Sequence, residues 1–211
     1  MKLKVGDTIP PLSVTTIHEV ALAIPDTNAA YVHLQFRRFA GCPVCNFHLH
    51  SLSKRATEIR EAGIREIAVF HASRDEMLRY QAKLPFDCVP DPGKELYRKF
   101  GVETSIFSLL HPTVLWVGLR GILATGKFYY KPENGIFGLP ADFLISPNGK
   151  VLAAHYGSNA YDNWDADQLL YLVGTQKDAP KQLIQADTIS RRGLIQTLDG
   201  TNDHKLTNYE R

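Results

Sequence analysis

The chain has 211 residues, 44% of them hydrophobic and 22% charged, which is globular material for one good-sized core with extensions. Its 24 basic and 22 acidic residues leave a net charge of +2, too small a field to make nucleic acid or an anionic membrane a general partner, so small molecules or proteins are expected. The N-terminal MKLKVGDTIPPL has no apolar stretch of signal-peptide length, and LLHPTVLWVGLRGIL is broken by His111, Pro112 and Arg120 short of the roughly 20 residues of a membrane span, so the expected compartment is the cytoplasm.

In chain order, AAYVHLQF (29–36) reads as a strand ending at Arg37 and Arg38. Cys45, Leu49, Leu52, Ala56 and Ile59 then recur at helical spacing up to Gly63, with Pro43 suited to the first helical position and Cys42 to the N-cap. IREIAVFH (64–71) reads as a buried strand, which completes a strand, helix, strand unit and implies a parallel pair. Ser73 and Glu76 have capping-box spacing for a helix carrying Met77, Leu78, Gln81 and Leu84 and stopped by Pro85. A short strand at 86–89 and a helix from Lys94 to Phe100 follow, closed by Gly101.

Residues 103–139 form an insertion too apolar for a linker, in which Leu115, Leu119 and Ile122 predict a helix, a lid or a dimer surface near the site. DFLIS and KVLAAHY flank Asn148-Gly149 and predict an antiparallel hairpin. Asp165 and Gln168 open a last helix, with Gly174 placed just past its end. The expected domain is therefore 1–177, and 178–211 is a polar arm docked on the body or on a second subunit.

The chemistry concentrates in RRFAGCPVCNFHLH (37–50). Two of the chain's three cysteines, Cys42 and Cys45, stand one helical turn apart, within reach of a disulfide. A helix N-terminus and the charges of Arg37 and Arg38 favour a thiolate at Cys42, with Gly41 leaving the sulfur accessible and Cys45 half-buried behind it. In a reducing compartment such a pair, between a strand and a helix, points to redox catalysis. Zinc is the chemical competitor, because Cys42, Cys45 and His48 recur at one-turn intervals with His50 nearby, but a structural zinc wants a second ligand pair and no other CxxC or HxxxH occurs. Haem attachment is excluded by Asn46, where a histidine would be needed. Cys88 reads as a buried small hydrophobe, and His71 and His155 as histidines at strand ends.

KVGDTIPPLSV, RRFAGCPVC, PFDCVPDPGKELYRKFGV and GLPADFLISPNGKV together resemble the peroxiredoxin-like branch of the alkyl hydroperoxide reductase and thiol-specific antioxidant family, over roughly residues 4–175. The resemblance implies a thioredoxin-like α/β fold, a mixed central sheet with helices on both faces and the helical insertion before the C-terminal hairpin. It implies that Cys42 is the attacking thiol, Cys45 the resolving one, and Pro140 a cis-proline on the substrate side. Where peroxiredoxins carry a proline and a threonine ahead of the attacking cysteine, this chain has Gln35 and Phe39, which leaves Arg37 or Arg38 to stabilise the leaving oxygen. The expected activity is antioxidant peroxide reduction without metal or organic cofactor, using an external thiol donor, with a homodimer as the candidate assembly. A protein or small-molecule disulfide reductase, and a non-catalytic zinc-binding or docking module, are the alternatives.

Overall fold

The computed structural model describes residues 2–102, 134–135 and 138–176, together with Trp116, Leu119, Arg120 and Leu123. The chain divides into two compact units, Met1–Leu170 and Tyr171–Arg211. In the first, a five-stranded sheet has the order β5-β4-β3-β6-β7, formed by β3 (Tyr31–Phe36), β4 (Ile64–Phe70), β5 (Asp87–Pro90), β6 (Ala141–Ile145) and β7 (Val151–Tyr156). β3, β4 and β5 run parallel, whereas β6 lies antiparallel to β3, and β7 to β6. This is the mixed sheet expected of a thioredoxin-like fold. A separate antiparallel hairpin, β1 (Leu12–Thr15) with β2 (Ala21–Ile24), precedes it and has no counterpart in the sequence reading.

The period-two alternation of β3 gives the sheet two unlike faces. Val32, Leu34 and Phe36 point into an apolar core with Ile24, Ile67, Val69, Val89, Phe100, Phe143 and Ile145. Phe36, Tyr97, Phe100 and Phe143 meet there at ring distances of 5.0–5.9 Å, mostly edge to face, the arrangement their quadrupoles favour. His33 and Gln35 take the opposite face and are fully buried among charged groups.

Helix α1 (Pro43–Lys54) buries Cys45, Leu49 and Leu52, as its spacing predicts, and Val44 and His48 besides. It does not run unbroken to Gly63. Arg55 leaves helical geometry at φ −111° and ψ 15°, its guanidinium bonds Glu58 and Asp167, and α2 (Ala56–Glu61) resumes beyond it. Gly63 then turns the chain at φ 86°, where an added Cβ would stand 2.9 Å from the Ala30 Cβ. Helix α3 (Arg74–Tyr80) is capped by Ser73, whose Oγ accepts from the Glu76 N–H at 3.2 Å. It ends four residues earlier than the periodicity suggests, because Gln81 is drawn into the site loop instead. Helix α4 (Glu95–Lys99) has its first amides tied to the Asp91 carboxylate.

Asn148 and Gly149 form the β6–β7 turn, with Gly149 at φ 83°. The final helix, α5 (residues 166–176), begins with a reciprocal capping box: the Gln168 N–H donates to Asp165 Oδ1 at 2.8 Å, and the Asp165 N–H to Gln168 Oε1 at 3.0 Å. In the second unit, residues 171–176 are helical, so Gly174 lies within the helix and not beyond its end. The polar arm 178–211 lies outside the described residues, as do Leu115 and Ile122 of the insertion. Trp116, Leu119 and Leu123 are helical and exposed.

Candidate active site

The C-terminal ends of β3 and β4 and the start of β6 meet at one edge of the sheet, since Phe36 is in register with both Val69 and Ala141. This places the 37–42 loop, His71 and the 138–140 segment together. Cys42 is the N-cap of α1, with extended backbone at φ −61° and ψ 116°, and Pro43 occupies the first turn as expected. The Cys45 N–H donates to Cys42 Sγ at 3.4 Å, and Arg38 Nη1 donates to the same sulfur at 3.5 Å.

Both cysteines are reduced and buried, with Cys42 only 1% exposed. The expectation of an accessible Cys42 is therefore corrected. The sulfur sits in an apolar cluster of Phe39, Val44, Cys45 and Ala160, closed by the half-buried Phe47 and Tyr161. Phe39 lies under the Arg38 guanidinium, its ring 5.4 Å from it, and so helps hold the charge over the sulfur.

Burial alone would raise the Cys42 pKa, but the hydrogen bond from the Cys45 thiol, the Arg38 charge and the amides of Cys45 and Val44 outweigh it and lower the value to about 6. Cys45 moves the other way: burial, the hydrogen bond to Cys42 and the neighbouring thiolate push its thiol well above the usual range. The two sulfurs are thus differentiated into a thiolate and a thiol. Cys88 is buried away from this pair in β5, and burial followed by Asp87 pushes it up to about 12.

Arg37 and Arg38 are neighbours with different work. Extended backbone turns them to opposite sides, Arg38 toward the sulfur and Arg37 into the polar face of the sheet. Arg37 donates to Asp142 Oδ1 at 2.8 Å, Asn163 Oδ1 at 2.8 Å and Gln35 Oε1 at 2.9 Å, and Nη2 stands 3.2 Å from His48 Nε2 on α1. His33 lies between Glu66, 2.8 Å away, and Asp142, 3.2 Å away, with Trp164 stacked on its ring at 5.8 Å. Burial opposes its protonation, but the two carboxylates raise its pKa to about 9, so it is an imidazolium at neutral pH. Two buried anions, Glu66 and Asp142, thereby face two buried cations, His33 and Arg37, and the network anchors α1 through His48.

His48 is turned toward Arg37 and not toward the sulfurs as a third zinc ligand would be. Burial, and then the Arg37 charge, lower its pKa to about 3. Among the described residues, no three metal-ligating side chains are gathered as a coordination shell. His50 is exposed, and His155 bonds Asp162 at 2.8 Å.

Pro140 does stand at the site's edge of the sheet, its carbonyl accepting from the Gly157 N–H at 2.9 Å, but it is not cis. Among the described residues, the cis peptide is Ile24–Pro25, in the N-terminal hairpin. A groove of about 380 Å³ at the opposite, N-terminal ends of β3 to β5 contains none of the thiols and is lined by Asp26, Arg65 and Asp87. Gln81, read from the sequence only as part of a helix face, donates through Nε2 to the Ala40 carbonyl at 2.7 Å and to Asn46 Oδ1 at 2.9 Å, pinning the loop ahead of Cys42.

A thiolate capping a helix after the central strand of such a sheet, with a thiol one turn on, defines a thioredoxin-fold thiol oxidoreductase. Residues 51–159 match the family AhpC/TSA antioxidant enzyme, a span that begins just after the cysteine pair. The chain belongs to that family and is a peroxiredoxin-like thiol oxidoreductase. The same fold occurs in peroxidoxin BcpB from Mycobacterium tuberculosis (16% identity, 82% of this chain and 97% of that one, TM-score 0.61). It occurs also in peroxiredoxin 6 of Arenicola marina (12% identity, 84% and 75%, TM-score 0.64) and in Mycobacterium bovis AhpC (13% identity, 85% and 95%, TM-score 0.59). No curated protein matches the sequence.

Proposed function

We propose that this enzyme reduces hydroperoxides through Cys42 and Cys45. The observation that carries the reading is the double hydrogen bond on Cys42 Sγ, from Arg38 Nη1 and the Cys45 amide, which holds a buried sulfur as thiolate. The thiolate attacks the terminal oxygen of a hydroperoxide. An S–O bond forms, the O–O bond breaks with its electron pair on the leaving oxygen, and that oxygen takes a proton to become an alcohol or water, leaving Cys42 as sulfenic acid.

Oxidation of Cys42 removes the negative charge that held the Cys45 proton in place, while the Arg38 charge, which favours ionisation of Cys45, remains. Cys45 then attacks Cys42, forming the disulfide and expelling water. Two equivalents of an external thiol restore the pair by exchange, yielding the donor's disulfide. Such a donor is available in a reducing cytoplasm. Among the described residues, no helix is long and apolar enough to cross a membrane.

The test is to remove the resolving thiol. Reduced Cys45→Ser protein treated with hydrogen peroxide should accumulate a sulfenic acid at Cys42, seen as a dimedone adduct by peptide mass spectrometry. An unmodified Cys42 under conditions that oxidise the unaltered enzyme would contradict the assignment.

A further inference from the structure

Helix α4 buries one of its residues, Tyr97. The Asp91 carboxylate, just past β5, accepts from the N–H groups of Glu95, Leu96 and Tyr97 at 2.8–3.2 Å, which fixes the start of this short helix against the sheet. The ring packs on Phe36 at 5.0 Å and on His71 at 5.7 Å, so the phenol reaches the place where β3 and β4 end. Burial, followed by the charges of Asp91 and Cys45, pushes its pKa well above the usual range. The hydroxyl is therefore a neutral donor that the chemistry of the thiol pair leaves unused.

What the hydroxyl holds is backbone. It donates to the Arg37 carbonyl and lies 3.1 Å from the Val69 carbonyl, which also accepts from the Arg37 N–H at 2.8 Å. Both polar groups of the Arg37 backbone are thus tied to one spot at the end of β3. A peptide unit is planar, so a fixed Arg37 carbonyl also fixes the amide of Arg38 and the direction in which the chain leaves the sheet. This is the peptide across which the two arginines part. Arg37 bonds Asp142 at 2.8 Å on one face, and Arg38 bonds Cys42 Sγ at 3.5 Å on the other.

We propose that Tyr97 is the positioning residue for Arg38: by holding the 37–38 peptide, its hydroxyl aims the Arg38 guanidinium at the Cys42 sulfur. This role rests on the reading of Cys42 as a thiolate held by Arg38, and not on the identity of the oxidant. Tyr97 acts through the backbone. Without its O–H the Arg37 carbonyl loses that donor, the peptide can turn, and the guanidinium spends less of its time on the sulfur. A tyrosine hydroxyl that only tied α4 to the sheet would add stability and leave the thiolate as it was.

The pH profile of Cys42 alkylation by iodoacetamide separates the two. Tyr97→Phe, which keeps the ring and its packing, should move the inflection up from about 6 by about half a unit or more, and so slow alkylation about threefold below the inflection. 4-Aminophenylalanine at position 97, which keeps a donor, should restore the profile. In an Arg38→Met background Tyr97→Phe should shift it no further, because the two substitutions remove one interaction. Phe100→Leu, which loosens the same aromatic cluster, should lower the melting temperature and leave the profile in place. An unshifted profile in Tyr97→Phe would overturn the inference, and so would 4-aminophenylalanine and phenylalanine shifting it alike. An equal shift in the Arg38→Met background would do the same, since the phenol would then reach the sulfurs by another path such as Cys45. No peroxide enters these measurements, so an enzyme inert to peroxide would sink the hydroperoxide reading alone.

Discussion

The guanidinium of Arg38 stands 3.5 Å from the sulfur of Cys42, inside an apolar cluster and over the ring of Phe39. A single charge placed there does what exposed residues could do only weakly, because little solvent screens it. Arg38→Met should therefore raise the Cys42 pKa from about 6 by roughly one unit or more. The pH dependence of iodoacetamide alkylation measures this directly. The inflection should move upward and the rate at pH 7 should fall, whereas Arg37→Met should move it less, because Arg37 faces Asp142.

The buried network on the other side of β3 makes a different demand. Asp142 accepts from both His33 and Arg37, and neither donor has a route to solvent. Replacing Asp142 by Leu leaves two buried cations facing the single anion Glu66, and losing one partner of a buried pair costs about 3–5 kcal/mol. Urea denaturation should show that loss. His33→Leu with Glu66→Leu, which removes a cation and an anion together, should cost less than the sum of the two single substitutions.

His33 also gives the protein a pH signature. Its folded pKa, about 9, lies above the unfolded value near 6.5, so its contribution to stability is fully present below about pH 6.5 and is lost as pH rises through 9. The loss is on the order of 3 kcal/mol at most. Because the lowered Cys42 pKa contributes with the opposite sign over the same range, the test is the difference between two proteins: the stability advantage of the unaltered protein over His33→Gln should shrink as unfolding free energy is followed from pH 6 to pH 10.

Gly157 offers a steric test of the segment next to the pair. A Cβ there would lie 2.5 Å from the Asp162 carbonyl oxygen and 2.7 Å from the Pro140 Cγ. Gly157→Ala must displace both, at about 1–3 kcal/mol for overpacking. A lowered melting temperature is expected, along with slower oxidation of Cys42 if Pro140 shapes the substrate side of the site.

What the sequence made legible was local. Cys42 as N-cap, Pro43 in the first turn, the Asp165–Gln168 box and the Asn148-Gly149 turn are each set by contacts within a few residues, and each carries its own signature. The polar network was hidden because His33, Glu66 and Asp142 lie 33 to 109 positions apart and meet only through strand register. The division between Arg37 and Arg38 followed the same logic, since adjacency in sequence concealed opposite faces. Burial of Cys42 was missed because Gly41 argued for access while Phe39, Ala160 and Tyr161, which close the site, come from both ends of the fold. The β1–β2 hairpin escaped because two four-residue strands carry too little periodicity to stand out.

The central claim is that Cys42 and Cys45 act together on hydroperoxide. Reduced protein mixed with one equivalent of hydrogen peroxide, quenched over seconds and mapped by mass spectrometry, should yield a Cys42–Cys45 disulfide with Cys88 still reduced, formed at a rate that rises with pH through an inflection near 6. Failure to form that disulfide with peroxide, together with its ready formation from oxidised glutathione, would contradict the account and point to a disulfide reductase.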